Sequence, residues 1–154
     1  ASYALSWAYK EVEDWLYYPK YDARHAGNII LEFNIGNGWI ARSIWNFTSG
    51  YPFTEMIGFY DKYFLTNIYQ NGQGSGEFNP YSYLGDKNIG RLPSYHRLDL
   101  SLIKRISLYW VNIELGVSAI NVYDRANIFY FDRDTGKIVN MLPFLVTGTL
   151  KVEL

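Results

Sequence analysis

The residues of this chain that could do chemistry are few and scattered. His25 and His96 each stand at the start of a strand-like run, with no cysteine in the chain and no second histidine at metal-ligand spacing. They read as structural or interfacial groups. The run GQGSG, residues 72–76, has the glycines of a phosphate cradle but lacks the Gly-Lys-Ser/Thr that would bring a cation and a magnesium ligand. It reads as a surface loop. DRDTG, residues 132–136, resembles half of a calcium loop, yet it lies between two strand-like runs without a distal glutamate, so a hairpin turn is expected. Asn46-Phe47-Thr48 matches a glycosylation sequon inside a strand and is read as chance. Serine, histidine and aspartate all occur, but none in a nucleophile-elbow context. No catalytic residue, metal or cofactor is expected, and the chain does not read as an enzyme.

What the chain carries instead of a chemical motif is alternation with period two. It ends on PFLVTGTLKVEL, where Phe144, Val146, Leu150, Val152 and Leu154 fall on one face and Thr147, Thr149, Lys151 and Glu153 on the other. The same pattern recurs over Tyr3 to Tyr9, Arg24 to Ile35, Trp39 to Tyr51, Tyr95 to Ile106 and Tyr109 to Ala119. Most of these runs reach about 10 residues, where strands of globular proteins usually have about 5 to 6. Their connections alternate between two kinds. Short ones follow Asn34, with an Asn-Gly suited to positive φ, and follow Ile106, at Ser107-Leu108. Long ones run from about Glu11 to Asp22 and from about Asp61 to Pro93. Short turns at one end and long loops at the other match the periplasmic and extracellular rims of an outer-membrane barrel.

Composition agrees. Aromatic residues make up 19% of the 154, with 15 Tyr, 9 Phe and 5 Trp. Such an excess suits two girdles at membrane interfaces, with Trp7, Trp39, Trp45, Tyr51, Tyr109 and Trp110 as members. The formal charge of -1 and scattered basic residues give no electrostatic case for nucleic acid. Zero cysteines excludes a disulfide scaffold. No run approaches the roughly 18 apolar residues of a membrane helix. ASYALSWAYK already reads as strand, with neither an initiator methionine nor a signal peptide, so the chain is expected to be a piece of something longer.

The order of motifs resembles the last quarter of the barrel of TonB-dependent outer-membrane receptors. The motifs are YDARH, GNGW, SGYPFT, RLPSYHRLDLS, SAINVYDRANIF and the terminal alternating strand. Asn121-Val122-Tyr123-Asp124 matches the family's Asn-apolar-aromatic-Asp segment in the penultimate strand, and Arg91 to Tyr95 followed by Asp99 matches the element before it. The chain departs from the family in ending on Leu154 instead of an aromatic residue, and it contains neither the plug domain nor the energy-coupling box.

The resemblance implies an all-β fold, an antiparallel transmembrane β-barrel wall, with about six long strands here out of about 22. It implies active uptake of a scarce nutrient, such as a ferric siderophore, cobalamin or a glycan, at the bacterial outer membrane. The implied partners are outer-membrane lipid, the rest of the barrel, the plug and, through the plug, an inner-membrane energy-coupling complex. Ile29, Leu31, Leu100, Leu102, Ile113, Leu115, Leu150 and Val152 are then expected toward lipid. Arg24, Glu32, Arg42, Arg97, Asp99, Glu114, Lys151 and Glu153 are expected toward the lumen or plug. In the large loop, Tyr69, Phe78, Tyr81 and Tyr83 are candidate ligand contacts. Two other readings stay open: a stand-alone barrel of about eight strands with a structural or adhesive role, and a soluble carbohydrate-binding β-sandwich.

Overall fold

A computed structural model describes residues 1–60, 81–132 and 135–154, and these are all-β, with no helix among them. Six strands build the main sheet: β1 (Ser2–Leu5), β4 (His25–Gly36), β5 (Trp39–Thr48), β10 (Tyr95–Leu108), β11 (Val111–Ile120) and β14 (Leu145–Glu153). They lie in the order β1-β4-β5-β10-β11-β14, every neighbouring pair antiparallel. Each principal strand therefore pairs with the next one along the chain, an up-and-down meander open at both edges. Four small two-stranded ladders sit in the long connections: β2 (Lys10–Val12) with β3 (Trp15–Tyr17), β6 (Pro52–Phe53) with β9 (Gly90–Arg91), β7 (Met56–Tyr60) with β8 (Tyr81–Leu84), and β12 (Ile128–Phe131) with β13 (Ile138–Asn140).

Directly opposed residues of an antiparallel pair share a face, so the register sorts the side chains. One set of rows reads Ile29–Trp45–Leu98, then Leu31–Ser43–Leu100–Ala119–Val146, then Phe33–Ala41–Leu102–Val117–Gly148, with Leu115–Leu150 and Ile106–Ile113–Val152 nearer the tight turns. The other set reads Asn28–Asn46–Arg97, Glu32–Arg42–Ser101–Ser118–Thr147 and Arg105–Glu114–Lys151, interleaved with the mixed rows Ile30–Ile44–Asp99, Asn34–Ile40–Ile103–Gly116–Thr149 and Ile120–Leu145. All eight residues expected toward lipid fall in the first set, while Arg97, Asp99, Glu114 and Glu153 fall in the second. None of the described residues covers the first face. Leu31 is 48% exposed and Leu150 67%, and Ile40 is the one buried hydrophobic residue among those described. The described residues, burying one isoleucine, form no core among themselves.

The two ends of the sheet differ in kind. At one end, Gly36, Asn37 and Gly38 all take positive φ (99°, 50° and 79°) and turn β4 into β5. The Gly38 carbonyl accepts the Arg105 N–H at 2.8 Å, and a Cβ on Gly38 would overlap the Arg105 carbonyl oxygen. Gly38→Ala should therefore cost at least about 1–2 kcal/mol from the left-handed backbone alone, read as a shift of the urea midpoint of the reconstituted protein. An unchanged midpoint would remove the turn from the determinants of register. The turn between β10 and β11 is Tyr109-Trp110, two residues beyond the Ser107-Leu108 expected from the alternation. Strong β formers hide it, and their rings are fully or nearly fully exposed, at 100% and 85%.

The opposite end carries all the long connections. The first strand ends at Leu5, shorter than the expected run to Tyr9: the Ser6 N–H still bonds to the Arg24 carbonyl in the strand register, but the Ala8 N–H goes to the Asp22 carboxylate instead of to a strand carbonyl. The segment from Glu11 to Asp22, expected as loop, contains the β2–β3 hairpin. Of DRDTG, Arg133 and Asp134 lie outside the described residues; on either side of them the Gly136 N–H bonds to the Asp132 carbonyl and the Thr135 N–H to the Asp132 carboxylate, between β12 and β13.

Candidate functional site

The expected inward charges occur as pairs of opposite sign. Glu32 and Arg42 face each other across β4 and β5 at 2.6 Å, Arg97 holds Asp99 at 2.8 Å, and Arg105 holds Glu114 at 2.8 Å. Lys151 and Glu153 add a fourth pair at 2.5 Å. Partly exposed pairs of this kind contribute about 0–1 kcal/mol each. Their effect is to leave the polar face hydrated and close to neutral, with no concentrated field.

Arg24, also expected inward, lies at the loop end, in a knot around Asp22. Asp22 there is 1% exposed. Its carboxylate pairs with the Arg91 guanidinium, accepts the Ala8 N–H at 2.9 Å and lies 3.9 Å from Arg24. Arg91 also donates to the Gly50 carbonyl at 3.1 Å, and both arginines lie over the Tyr18 ring at 5.1 Å. Burial pushes the Asp22 carboxyl up. The Arg91 and Ala8 hydrogen bonds and the charges of Arg91 and Arg24 together outweigh it, so the group sits below its usual value. Nearby, Asn88 donates to the Tyr18 carbonyl at 2.6 Å and receives a bond from Thr54 at 3.3 Å. Four sequence-distant segments are thus held at one point.

A second knot is built on the family-like segment. Asn121 lies just past β11, fully buried with φ of 54°. Its side chain donates to the Arg125 and Leu142 carbonyls and accepts the Arg125 N–H, while its own N–H donates to Asp99 at 2.9 Å. Asp124 accepts the Phe144 N–H, and Asn127 bridges both backbone groups of His96. The motif is a turn latch, and its polar residues are engaged with the chain's own backbone. His96 and His25 are likewise engaged, each through Nδ1 with a tyrosine hydroxyl, Tyr123 at 2.8 Å and Tyr3 at 2.7 Å.

At the same end of the sheet lies a cleft of about 870 Å³. Its aromatic lining comes from Tyr51, Phe53, Tyr95, Phe129, Tyr130 and Phe131. Tyr95 lies opposite Thr48 on the same face as Arg97, so the cleft stands at the upper end of the polar face. Phe53 and Phe131 meet at 5.1 Å between centroids and form its wall. A register shift between Ile128 and Tyr130 lets consecutive side chains of β12 both reach the space, which is what a bulge does to a strand. The charged groups at its edge are Lys20, Glu55 and Asp132. With its rings and few polar groups, it can hold a small molecule non-covalently.

Of the expected loop contacts, Tyr81 and Tyr83 belong to β8, opposite Tyr60 and Gly58, and do not line the cleft. Tyr69 and Phe78 lie outside the described residues. The cleft residues are hard to find from sequence because they come from four separate segments. The density of rings in SGYPFT and ANIFYFD is the one visible signal. Among the described residues no group of histidine and carboxylate side chains could hold a metal ion. Comparison of the chain with protein-family models, with characterised proteins and with solved structures found no match.

Proposed function

We propose that this chain is part of the wall of a transmembrane β-barrel in a bacterial outer membrane, the C-terminal part of a receptor resembling the TonB-dependent transporters. The observation that carries the reading is the bare apolar face. Six strands present a continuous apolar surface that the described residues leave uncovered, beside a face of paired charges. In water such a surface drives aggregation; against lipid it needs no cover. From the Phe47–His96 row to the Ile106–Ile113–Val152 row there are ten residue steps along β10. At ~3.4 Å per residue and a tilt of ~40°, these span about 26 Å of height, against an apolar band of about 25 Å in such barrels.

The lysine on the apolar face supports the same reading. Lys104 lies opposite Trp39, with its ammonium 5.0 Å from the Trp39 ring and bonded to the Asn37 carbonyl in the tight turn. A long stem along the apolar surface and a charge delivered to the rim is how lysine behaves at a membrane interface. With Trp39, Tyr109 and Trp110 it forms the girdle at the turn end, which is the periplasmic side. The wall's role is passive: it surrounds a plug, while the rest of the barrel completes the ring. Energy for nutrient uptake comes from an inner-membrane complex acting on the plug.

This segment contributes no cysteine of its own, so the labelling is done in the intact receptor with any cysteine elsewhere replaced. In the intact receptor, Asp86→Cys at the loop end should react with an impermeant maleimide on whole cells. Tyr109→Cys, in the turn between β10 and β11, should react only after the outer membrane is permeabilised. Equal labelling of both on intact cells would reject the placement.

A further inference from the structure

We propose that a groove over Gly27, on the apolar face near the loop end, holds one acyl chain of a bilayer lipid. The site rests on the reading of this face as membrane-exposed and goes beyond it, giving one chain a fixed address on the wall. The groove has a volume of about 510 Å³. Its floor is Gly27 in β4, which adds no side chain to a face otherwise built of large ones. Tyr3 of β1 and Phe47 of β5, both directly opposite Gly27, are its two walls. One row further from the loops, Ile29 and Trp45 continue it. The walls are held in place. The Tyr3 hydroxyl lies 2.7 Å from His25 Nδ1, and the Trp45 and Phe47 rings stack at 5.9 Å with 20° between their planes.

Three observations select the occupant. First, the lining is carbon. Ser2 and Asn28 border the groove, but the register turns their side chains to the polar face. A polar ligand would leave its own groups unsatisfied there. Second, the depth and direction suit a lipid chain. The Gly27–Phe47–His96 row is the upper end of an apolar band of about 25 Å, so the groove opens just beneath the headgroups and runs along the strands into the bilayer. The Tyr3 hydroxyl and His25 stand at its mouth, an apolar ring with a polar tip at the interface. Third, the rest of the wall leaves the groove open. Gly27 is flanked by β1 and β5, and a strand added beyond β1 would lie about 4.8 Å further out, behind Tyr3. In hydrocarbon an empty groove deprives its walls of dispersion contacts, and a flexible chain restores them.

Photocrosslinking of the intact receptor in phosphatidylcholine vesicles tests the proposal. The vesicles are doped with a phosphatidylcholine carrying a diazirine on an upper methylene of one chain, and adducts are mapped by peptide mass spectrometry. Ile29 and Trp45 should carry about fivefold more adduct than Leu100 and Val146, which sit outside the groove one row deeper on the same face. Gly27→Leu puts a side chain where the lipid chain would lie and should reduce the excess to the level of Leu100. Heat-modified gel mobility reports folding of the variant. Where Gly27→Leu does not fold, Phe47→Ala removes one wall instead, with the same expected loss. An even spread of adducts over the apolar face leaves the wall standing and overturns the groove, as does an excess that the folded variant leaves unmoved. Excess labelling by a diazirine fatty acid but not by the phospholipid assigns the groove to a soluble ligand and overturns the bilayer source. Absence of phospholipid adducts from the whole apolar face sinks the wall reading, and the groove with it.

Discussion

Arginine at Leu102 should destabilise the intact receptor in lipid vesicles by about 2–4 kcal/mol, while arginine at Ser118 should cost less than about 1 kcal/mol. Leu102 sits in the middle of β10, between Ala41 and Val117 on the bare apolar face. Ser118 sits one strand away on the opposite face, between Ser101 and Thr147. The two substitutions add the same side chain at nearly the same depth, so the difference between them isolates which face meets hydrocarbon. Urea titrations with unchanged slope give both values. The sign is informative as well as the size. If the sheet stood in water, nothing would be desolvated by a charge at Leu102, and the substitution would be neutral or would improve solubility. Similar costs at both positions would place neither face in lipid.

Period two makes the two faces legible from the amino-acid sequence alone, because one apolar residue in every two is visible in a single strand and parity survives small errors in the ends. That is why Ile113 and Glu114 fall on opposite sides as expected, even though the turn before β11 is Tyr109-Trp110 and not Ser107-Leu108. Strand ends are less legible, since long-range partners decide them. Nothing near Ala8 announces that the Asp22 carboxylate will take its N–H. The charged residues are legible as types but not as pairs. Nothing in the sequence marks Arg105 as the partner of Glu114, and Arg24, expected toward the lumen, belongs to the knot around Asp22. The cleft is the least legible feature. It exists only where Tyr51, Tyr95 and Tyr130 converge, and convergence of segments so far apart leaves no local periodicity to read. The Asn121 segment shows the opposite case. A family-like motif invites a functional role, yet the bonds of its asparagine go to the chain's own turns and to Asp99.

The knot around Asp22 carries the other large expected effect. Asp22→Ala removes the carboxylate that answers Arg91 and frees the Ala8 N–H. Breaking a fully buried pair from one side costs about 3–5 kcal/mol. The Arg91 side chain keeps 25% of its exposure, so water recovers part of this and about 2–3 kcal/mol is expected. The loss should be local: faster hydrogen exchange at the Ala8 amide and faster cleavage within the β2–β3 hairpin, with the sheet amides of β10 unchanged. Acid should reproduce it. The folded carboxyl is held below its ordinary value of about 3.9, so its contribution is complete above that pH and falls away as pH drops through the lower folded value. Protection of the Ala8 amide in the wild-type protein should therefore decline below about pH 4, whereas in Asp22→Ala it should already be low at neutral pH and nearly flat on acidification. An acid response of equal size in both proteins would assign the titration to another carboxylate. Unchanged exchange at Ala8 would show that the hairpin is held without Asp22, by the Asn88 contacts to Tyr18 and Thr54.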